Sequence, residues 1–111
     1  MEPKLRDFRS ADLEPVHGLI RVTIDASYRG VYPHRAVRFF KDHHTPERIL
    51  ERQAQGHVLV VESDGELVAT GAIVADHVMA VFVVPRCQRH GLGTSVMEAL
   101  EDEKDLRGGG S

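Results

Sequence analysis

The chain has 111 residues, of which 41% are hydrophobic and 28% charged, and its formal net charge at neutral pH is −3. This length suits one domain, and the apolar content is that of a folded protein rather than a disordered one. The balance of 14 basic and 17 acidic residues excludes a strongly basic nucleic-acid-binding protein. We therefore expect one globular domain and no nucleic-acid partner.

The compartment is predicted from the cysteine count and the apolar runs. Cys87 is the single cysteine and permits no internal disulfide, which fits a reducing compartment. The charged segment over residues 1–7 is unlike a signal peptide. The longest apolar run, Val78–Val84, is far shorter than the ~20 residues that a membrane-spanning helix needs. These features predict a cytoplasmic protein with no membrane association, and no Cys/His spacing typical of a zinc site predicts a metal.

The first segments favour a strand followed by a helix. Residues Lys4–Phe8 are expected to form a short opening strand. Ser10 or Asp12 can then accept hydrogen bonds from the free N–H groups that begin a helix, and Glu14 suits the positive end of its dipole. The apolar residues that follow at roughly helical spacing are Val16, Leu19, Ile20, Val22 and Ile24.

Two further helices are predicted before the main sheet. The first covers Pro33–His43, after a break that contains Tyr28 and Tyr32. The second begins at Thr45-Pro46-Glu47, where threonine caps the helix and proline occupies its first position, and it ends at Gly56. The expected apolar contacts of these two helices are Ala36, Val37, Phe39, Phe40, Ile49 and Leu50.

The apolar period changes to two after the second of these helices, which is typical of strands. His57–Glu62 is followed by Asp64-Gly65, a strong hairpin signal because both residues tolerate positive φ. The return strand is Glu66–Ala75, in which Gly71 marks a bulge or a close approach of another element. A third strand, Val78–Val84, is apolar on both faces, and this pattern predicts a central position in the sheet.

A closing helix and a short tail complete the chain. The helix is expected from Gly91 to about Lys104, and its apolar face carries Val96, Met97 and Leu100. The predicted fold class is therefore α+β, a β-meander with helices before and after it. Residues 108–111 have the composition of a linker or an artificial end, so we expect the domain to comprise residues 1–107.

The segment between the third strand and the closing helix carries the most chemical information. An apolar strand leads into a loop with two closely spaced glycines, Gly91 and Gly93, and a helix follows. The free N–H groups and the positive dipole end of a helix form an anion site, which suits a diphosphate. Arg86 and Arg89 either contact phosphate or form a solvated surface, and the sequence leaves both interpretations open.

The spacing of these residues distinguishes between families of phosphate-binding loop. A P-loop needs a terminal Gly-Lys-Ser/Thr, and a dinucleotide-binding fingerprint needs a small residue where Val96 stands, within a βαβ unit. The pattern that does match is Gln/Arg-x-x-Gly-x-Gly/Ala, present as Gln88–Gly93. It resembles the coenzyme A signature of the GCN5-related N-acetyltransferases (GNAT), and the order of the other elements resembles that family over about residues 4–104.

This resemblance implies a GNAT-like mixed sheet and acetyl transfer from acetyl-CoA, the co-substrate, directly to a primary amine. The strand before the loop would bind the pantetheine arm through its backbone, and the loop amides would hold the pyrophosphate, without a metal. The acceptor region would lie near Tyr28 and Tyr32, which either line a pocket or pack against the sheet. The implied coenzyme A residues are Phe82, Val83, Val84, Gln88, Arg89, His90, Gly91, Leu92, Gly93 and Thr94.

The chain also departs from the family pattern. Members usually continue past the coenzyme A helix with further strands, one of which pairs with the strand equivalent to Val78–Val84, and often with a tyrosine that protonates the departing thiolate. We expect the C-terminal strands to be lacking and the edge of residues 78–84 to be open, so that a homodimer or an aggregate forms there. The catalytic residues stay unassigned. The alternative function is a non-catalytic module that binds coenzyme A or a diphosphate, or an inactive fragment.

Three further features have a chemical interpretation beside a structural one. Cys87 precedes the signature, where a thiol nucleophile or an incidental loop residue is possible, and the second is favoured because nothing near it in sequence indicates an activated thiolate. His43 and His44 suggest metal ligands or an exposed helix end, and adjacent helical residues point apart, which favours the latter. Asp76 and His77 suggest either a base near the thioester or a simple turn, and the turn is favoured.

Overall fold

A computed structural model describes residues 3–28, 30–88 and 91–108, and in the last helix it describes side chains as far as residue 102. Within these residues the chain forms four strands and four α-helices, with three helices between the first and second strands and the fourth helix after the last strand. Short 3₁₀ turns precede α1 and follow β4. The elements are β1 (Lys4–Asp7), α1 (Leu13–Tyr28), α2 (His34–Asp42), α3 (Pro46–Gln55), β2 (Gly56–Ser63), β3 (Glu66–Val74), β4 (His77–Val83) and α4 (Leu92–Gly108), with the 3₁₀ turns at Ser10–Asp12 and Pro85–Cys87.

The strands form one antiparallel sheet in the order β1-β2-β3-β4. Side chains alternate between the two faces of a strand, and β4 shows which helices cover each face. Val81 and Val83 approach α4, so Phe82 between them faces the opposite layer. Side chains of α1 and α3 cover that layer, and the core therefore lies on both sides of the sheet.

Local sequence signals account for several element boundaries. Thr45 caps α3, since its Oγ1 accepts a hydrogen bond from the Arg48 N–H at 3.3 Å, and Pro46 occupies the first position. Asp64 and Gly65 have φ angles of 53° and 81° and join β2 to β3. The predicted cap and the predicted hairpin are thereby confirmed.

The turn before α1 depends on a buried carboxylate. The cap residue is Arg9 rather than Ser10 or Asp12, the two predicted candidates. Asp12 instead accepts the Arg9 N–H at 2.8 Å, and both its oxygens accept hydrogen bonds from Arg6 of β1. The Arg6 guanidinium is the largest reason why the pKa of Asp12 is lowered. Arg6 also pairs with Glu62 of β2 at 3.0 Å, so one guanidinium joins the turn to two strands.

Four predicted apolar contacts are wrong. The side chains in question are between about half and three-fifths exposed, and the residue beside each of them in the helix takes the core position instead. Neighbouring helical residues point about 100° apart, so the buried stripe cannot hold both members of a pair. The exposed residues are Val22 at 57%, Phe39 at 57%, Leu50 at 46% and Met97 at 48%.

The third strand lies at the edge of the sheet, so its predicted central position is wrong. In the described part of the chain β4 pairs with β3 and with no second strand. Its apolar residues cover both faces because helices pack on both faces, and this pattern does not report what lies beside the strand. The predicted open edge is confirmed for the described residues.

Gly71 is both a close-approach point and part of a bulge, as its sequence context predicts. Thr70 pairs with Phe82 and Ala72 with Met79, which leaves one extra residue on β4. Ala80, within that bulge, has a φ of 55°. A Cβ at Gly71 would lie 2.5 Å from a methyl group of Val96 and 2.9 Å from one of Leu100. The missing side chain therefore lets α4 pack directly on β3.

None of the helices that the structure describes combines the length and the apolar character needed to span a membrane.

Substitution of Gly71 by alanine should destabilise the fold by about 1–3 kcal/mol, because the new methyl group overpacks the contact with Val96 and Leu100. Denaturant unfolding followed by circular dichroism measures this change. Gly18→Ala in α1 is the control, since its Cβ meets nothing within 4 Å and alanine favours helix by about 1 kcal/mol. Equal stability of Gly71→Ala and the unchanged protein would contradict the proposed close packing.

Candidate functional site

A short, hydrogen-bonded loop places the start of α4 beside the end of β4. The Val84 N–H donates to the Val68 carbonyl at 2.9 Å, which continues the β3–β4 ladder past the strand. The Cys87 N–H then donates to the Val84 carbonyl at 2.9 Å and closes the 3₁₀ turn. A Cβ at Gly93 would lie 3.6 Å from a methyl group of Val83, so the first turn of α4 is in contact with the strand.

The first turn of α4 presents backbone amides toward its N-terminal end. The Gly91 carbonyl accepts the Ser95 N–H at 3.0 Å and also the Ser95 hydroxyl at 3.0 Å, so Gly91 occupies the cap position with a φ of 76°. The amides of Leu92, Gly93 and Thr94 precede the first intrahelical hydrogen bond. Leu92 is buried and holds this turn in the core, whereas Thr94 is exposed. Backbone N–H groups at the positive end of a helix dipole are suited to binding an anion.

The backbone of β4 offers alternate residues to its open edge. Since the Val84 N–H points to β3, and the two backbone groups of one residue in a strand point to the same side, those of Val83 point away from β3. The Val83 carbonyl is already engaged, because the Gln88 side-chain amide donates to it at 3.0 Å. Of the three strand residues predicted to bind pantetheine, Val83 thus has an N–H directed at the edge. Phe82 and Val84 direct their backbone toward β3.

The remaining candidate residues of the loop have different surroundings from one another. Arg86 forms an exposed ion pair with Glu66 at 2.6 Å, which directs its guanidinium to the start of β3 rather than to the first turn of α4. Cys87 is buried, with 3% of its surface exposed, as suits a structural thiol. Arg89 and His90, both predicted to belong to the site, lie outside the described residues.

The two tyrosines of the predicted acceptor region pack together with α2. The ring centroids of Tyr28 and Tyr32 lie 5.5 Å apart, and those of Tyr28 and Phe40 lie 4.8 Å apart in an edge-to-face arrangement. Tyr32 is 47% exposed. At the far end of β4, Asp76 belongs to the turn and His77 begins the strand, exposed and remote from the loop.

His44 is a residue whose surroundings sequence reasoning missed. His43 is an exposed helix end, as expected, but His44 is half-buried. The ring centroids of His44 and Phe82 lie 4.9 Å apart, with the two rings nearly perpendicular. Arg52 of α3 approaches the Nδ1 of His44 at 2.9 Å and donates to the His43 carbonyl at 2.7 Å. Burial, and then the charges of Arg52 and His43, lower the pKa of His44 to about 4. No local pattern links residues 44, 52 and 82, so the sequence carries no signal for this contact.

The side chains that the structure describes do not support a metal centre. Among the residues that the structure describes, no group of three or more histidine, cysteine, aspartate or glutamate side chains could hold a metal ion. The interpretation of His43 and His44 as a ligand pair is therefore not supported.

Comparison with known proteins identifies the family. A sequence model of the acetyltransferase (GNAT) family matches residues 19–110. The chain belongs to the GNAT family. A comparison with curated protein sequences gave no match.

Solved structures show the same GNAT fold at low sequence identity. The PaiA N-acetyltransferase of Thermoplasma acidophilum, solved in complex with coenzyme A, has a TM-score of 0.81 and 18% identity over 97% of this chain and 75% of that one. A GCN5-related N-acetyltransferase of Rhodopseudomonas palustris has a TM-score of 0.85 and 19% identity over 97% and 69%. The ribosomal-protein-S18-alanine N-acetyltransferase of Escherichia coli has a TM-score of 0.67 and 19% identity over 96% and 62%. The chain thus spans 62–75% of the length of these three solved structures.

The described part of the GNAT signature is compatible with a bound diphosphate. Apart from its chain neighbours, no described residue lies within 4 Å of a Cβ built at Gly91, so the described residues leave room for a ligand there. Gly93 adds no side chain over the amides of the first turn. Anionic oxygens can therefore approach the backbone directly.

The pKa of His44 predicts how stability depends on pH. Above about pH 6.5 the imidazole is neutral in both the folded and the unfolded chain. Between there and its folded pKa of about 4 the unfolded chain binds an extra proton, so the free energy of unfolding falls as the pH falls, by at most about 3 kcal/mol. His44→Gln should reduce this slope in urea titrations from pH 7 to 4. The control His43→Gln, at the exposed neighbour, should keep it, and equal slopes for both variants would contradict the assignment.

Proposed function

We propose that this chain binds acetyl-CoA at the β4–α4 loop and transfers the acetyl group to a primary amine. One observation carries the proposal: the amide-bearing first turn of α4 lies directly beside the open edge of β4, with Gly93 and Val83 in contact. A diphosphate at the helix and an extended amide-containing arm along the strand suit these two neighbouring surfaces. The family membership of the chain and the coenzyme A bound to its structural neighbour from Thermoplasma acidophilum support the same assignment.

Each described residue of the loop has a distinct role in this proposal. The amides of Leu92, Gly93 and Thr94 hold the pyrophosphate at the positive end of α4. Gln88 binds the Val83 carbonyl and so fixes the loop against the strand. The Val83 N–H, which points to the open edge, binds an amide carbonyl of the pantetheine arm. Phe82 and Val84 keep the strand in register with β3, and Arg89 and His90 complete the proposed set.

The reaction needs positioning rather than a covalent enzyme intermediate. The nitrogen lone pair of a neutral amine attacks the thioester carbon, the C–N bond forms, the C–S bond breaks, and the thiolate leaves as coenzyme A. The amine proton passes to solvent or to the thiolate. Holding the thioester and the amine in one geometry accounts for much of the rate that such a site can supply.

The acceptor is proposed to enter from the side of α1 and α2. Tyr28 and Tyr32 form an aromatic cluster with Phe40 there, and Tyr32 is half-exposed. Exposed aromatic rings provide an apolar surface beside a site that must position an amine. The proposed substrate class is a primary amine on a small molecule or a peptide, handled in a reducing compartment such as the cytoplasm, which suits the single buried thiol of Cys87.

Calorimetry with acetyl-CoA tests the proposed loop. Gly93→Glu should weaken binding at least tenfold, because a carboxylate over the amides of the first turn repels the pyrophosphate, while the fold has room for a Cβ there. Met97→Glu adds the same charge to an exposed position of α4 and is the matched control. An amine-dependent release of free thiol then measures transfer.

The outcomes separate the two candidate functions. Binding of acetyl-CoA together with thiol release over a panel of primary amines supports the transferase. Binding without release on any amine favours a non-catalytic module that holds coenzyme A. Unchanged affinity in Gly93→Glu would remove the loop as the binding site.

The open edge of β4 is proposed to pair with a second copy of the chain when no acetyl-CoA occupies that edge. An unpaired strand edge is a template for strand addition, and Met79 on it is 41% exposed. Light scattering should show a dimer at high concentration, and Met79→Lys should shift the equilibrium toward the monomer because a charge on an edge strand opposes pairing. A monodisperse monomer at millimolar concentration would contradict this proposal.

A further inference from the structure

A polar unit packs against the face of β4 opposite to α4. It consists of the His43 carbonyl and the His44 ring, in the turn between α2 and α3, and of Arg52 from α3. The His44 ring packs nearly perpendicular to the ring of Phe82, which is next in the strand to Val83, whose N–H points to the open edge. Arg52 holds this turn from α3 through the His43 carbonyl and the His44 ring. Arg52 and His43 border a cleft of about 240 Å³ that Met79 of β4 also lines. The unit therefore lies where α2, α3 and the edge strand meet.

The contact with Arg52 determines which ring nitrogen of His44 carries the proton. A guanidinium has only donors, so the Nδ1 of His44 at 2.9 Å must be the acceptor. In the neutral imidazole the proton then resides on Nε2, which becomes a hydrogen-bond donor. Half-burial and then the positive charge of Arg52 oppose a second proton on the ring.

We propose that His44 donates its Nε2–H to the carbonyl oxygen of the thioester bound along β4. This inference rests on the proposed acetyl-CoA site, since it requires the acetyl group to lie beside Phe82 and Val83. The hydrogen bond strengthens as negative charge develops on that oxygen during attack by the amine, and no proton leaves the ring. Neutral histidine is suited to this role, because it polarises a carbonyl without carrying a charge of its own. Arg52 is a positioning residue that fixes the tautomer.

The ¹H–¹⁵N correlations of the imidazole rings test the tautomer and the contact without measuring activity. We expect His44 to be protonated at Nε2 and bare at Nδ1 at pH 7, and Arg52→Leu to abolish this preference. Addition of acetyl-CoA should shift the Nε2 resonance of His44, whereas coenzyme A, which lacks the carbonyl, should not. A ring protonated at Nδ1, or equal shifts with both compounds, would overturn the inference.

Kinetics of two substitutions test the effect on the reaction. His44→Leu should lower kcat about 10- to 100-fold and leave the KM for acetyl-CoA within a factor of three. His44→Gln should recover most of the loss, since its amide accepts from Arg52 and still donates. Thermal unfolding shows whether each variant is folded, and the nuclear magnetic resonance test stands if His44→Leu is not. Unchanged kcat in a folded His44→Leu would overturn the inference.

The failure of this inference is distinguishable from that of the proposed function. If acetyl-CoA binds and is turned over but the Nε2 resonance does not respond to the acetyl group, the role of His44 is wrong and the acetyl-CoA site stands. If calorimetry detects no acetyl-CoA binding, both assignments are wrong.

Discussion

The missing side chain at Gly71 sets how closely α4 approaches the sheet, and the candidate site depends on that approach. Val96 and Leu100 fill the space that a Cβ would need, and both are fully buried. A helix is stiff over this length, so seating its second and third turns also fixes its first turn. Gly93 consequently lies against Val83 at the end of β4. The amides of an anion site stand beside an open strand edge because of a contact one to two turns away.

The bulge opposite Gly71 shapes the edge strand β4 so that its two faces contact different elements. An extra residue bends a strand and increases its local twist, and here it lies between Thr70 and Ala72 of β3 on one side and Phe82 and Met79 of β4 on the other. Beyond the bulge, one face of β4 packs on α4 and the other on the turn at His44. The strand thus brings together a helix terminus and a turn that are separated by nearly fifty residues.

Features encoded by consecutive residues could be predicted from the sequence. The cap at Thr45, the hairpin at Asp64-Gly65 and the close approach at Gly71 each follow from what one residue type can do locally, and so does the loop that ends at Gly93. What could not be predicted depends on lateral or long-range arrangement. Apolar patterning reports which faces of β4 are covered but not its neighbours in the sheet. The contact between His44 and Phe82 joins residues that are far apart in the sequence, so no local pattern indicates it.

The surroundings of His44 have a consequence for the amine as well as for the imidazole. Burial and the positive charge of Arg52 both favour a neutral ring over a protonated one. An amine bound beside His44 in the proposed reaction would experience both effects, and each lowers the pKa of an ammonium group. Attack on the thioester requires the neutral amine, because the lone pair is otherwise bound to a proton. In the proposed reaction, the polar unit that keeps His44 neutral would therefore also favour the neutral, nucleophilic form of the acceptor amine.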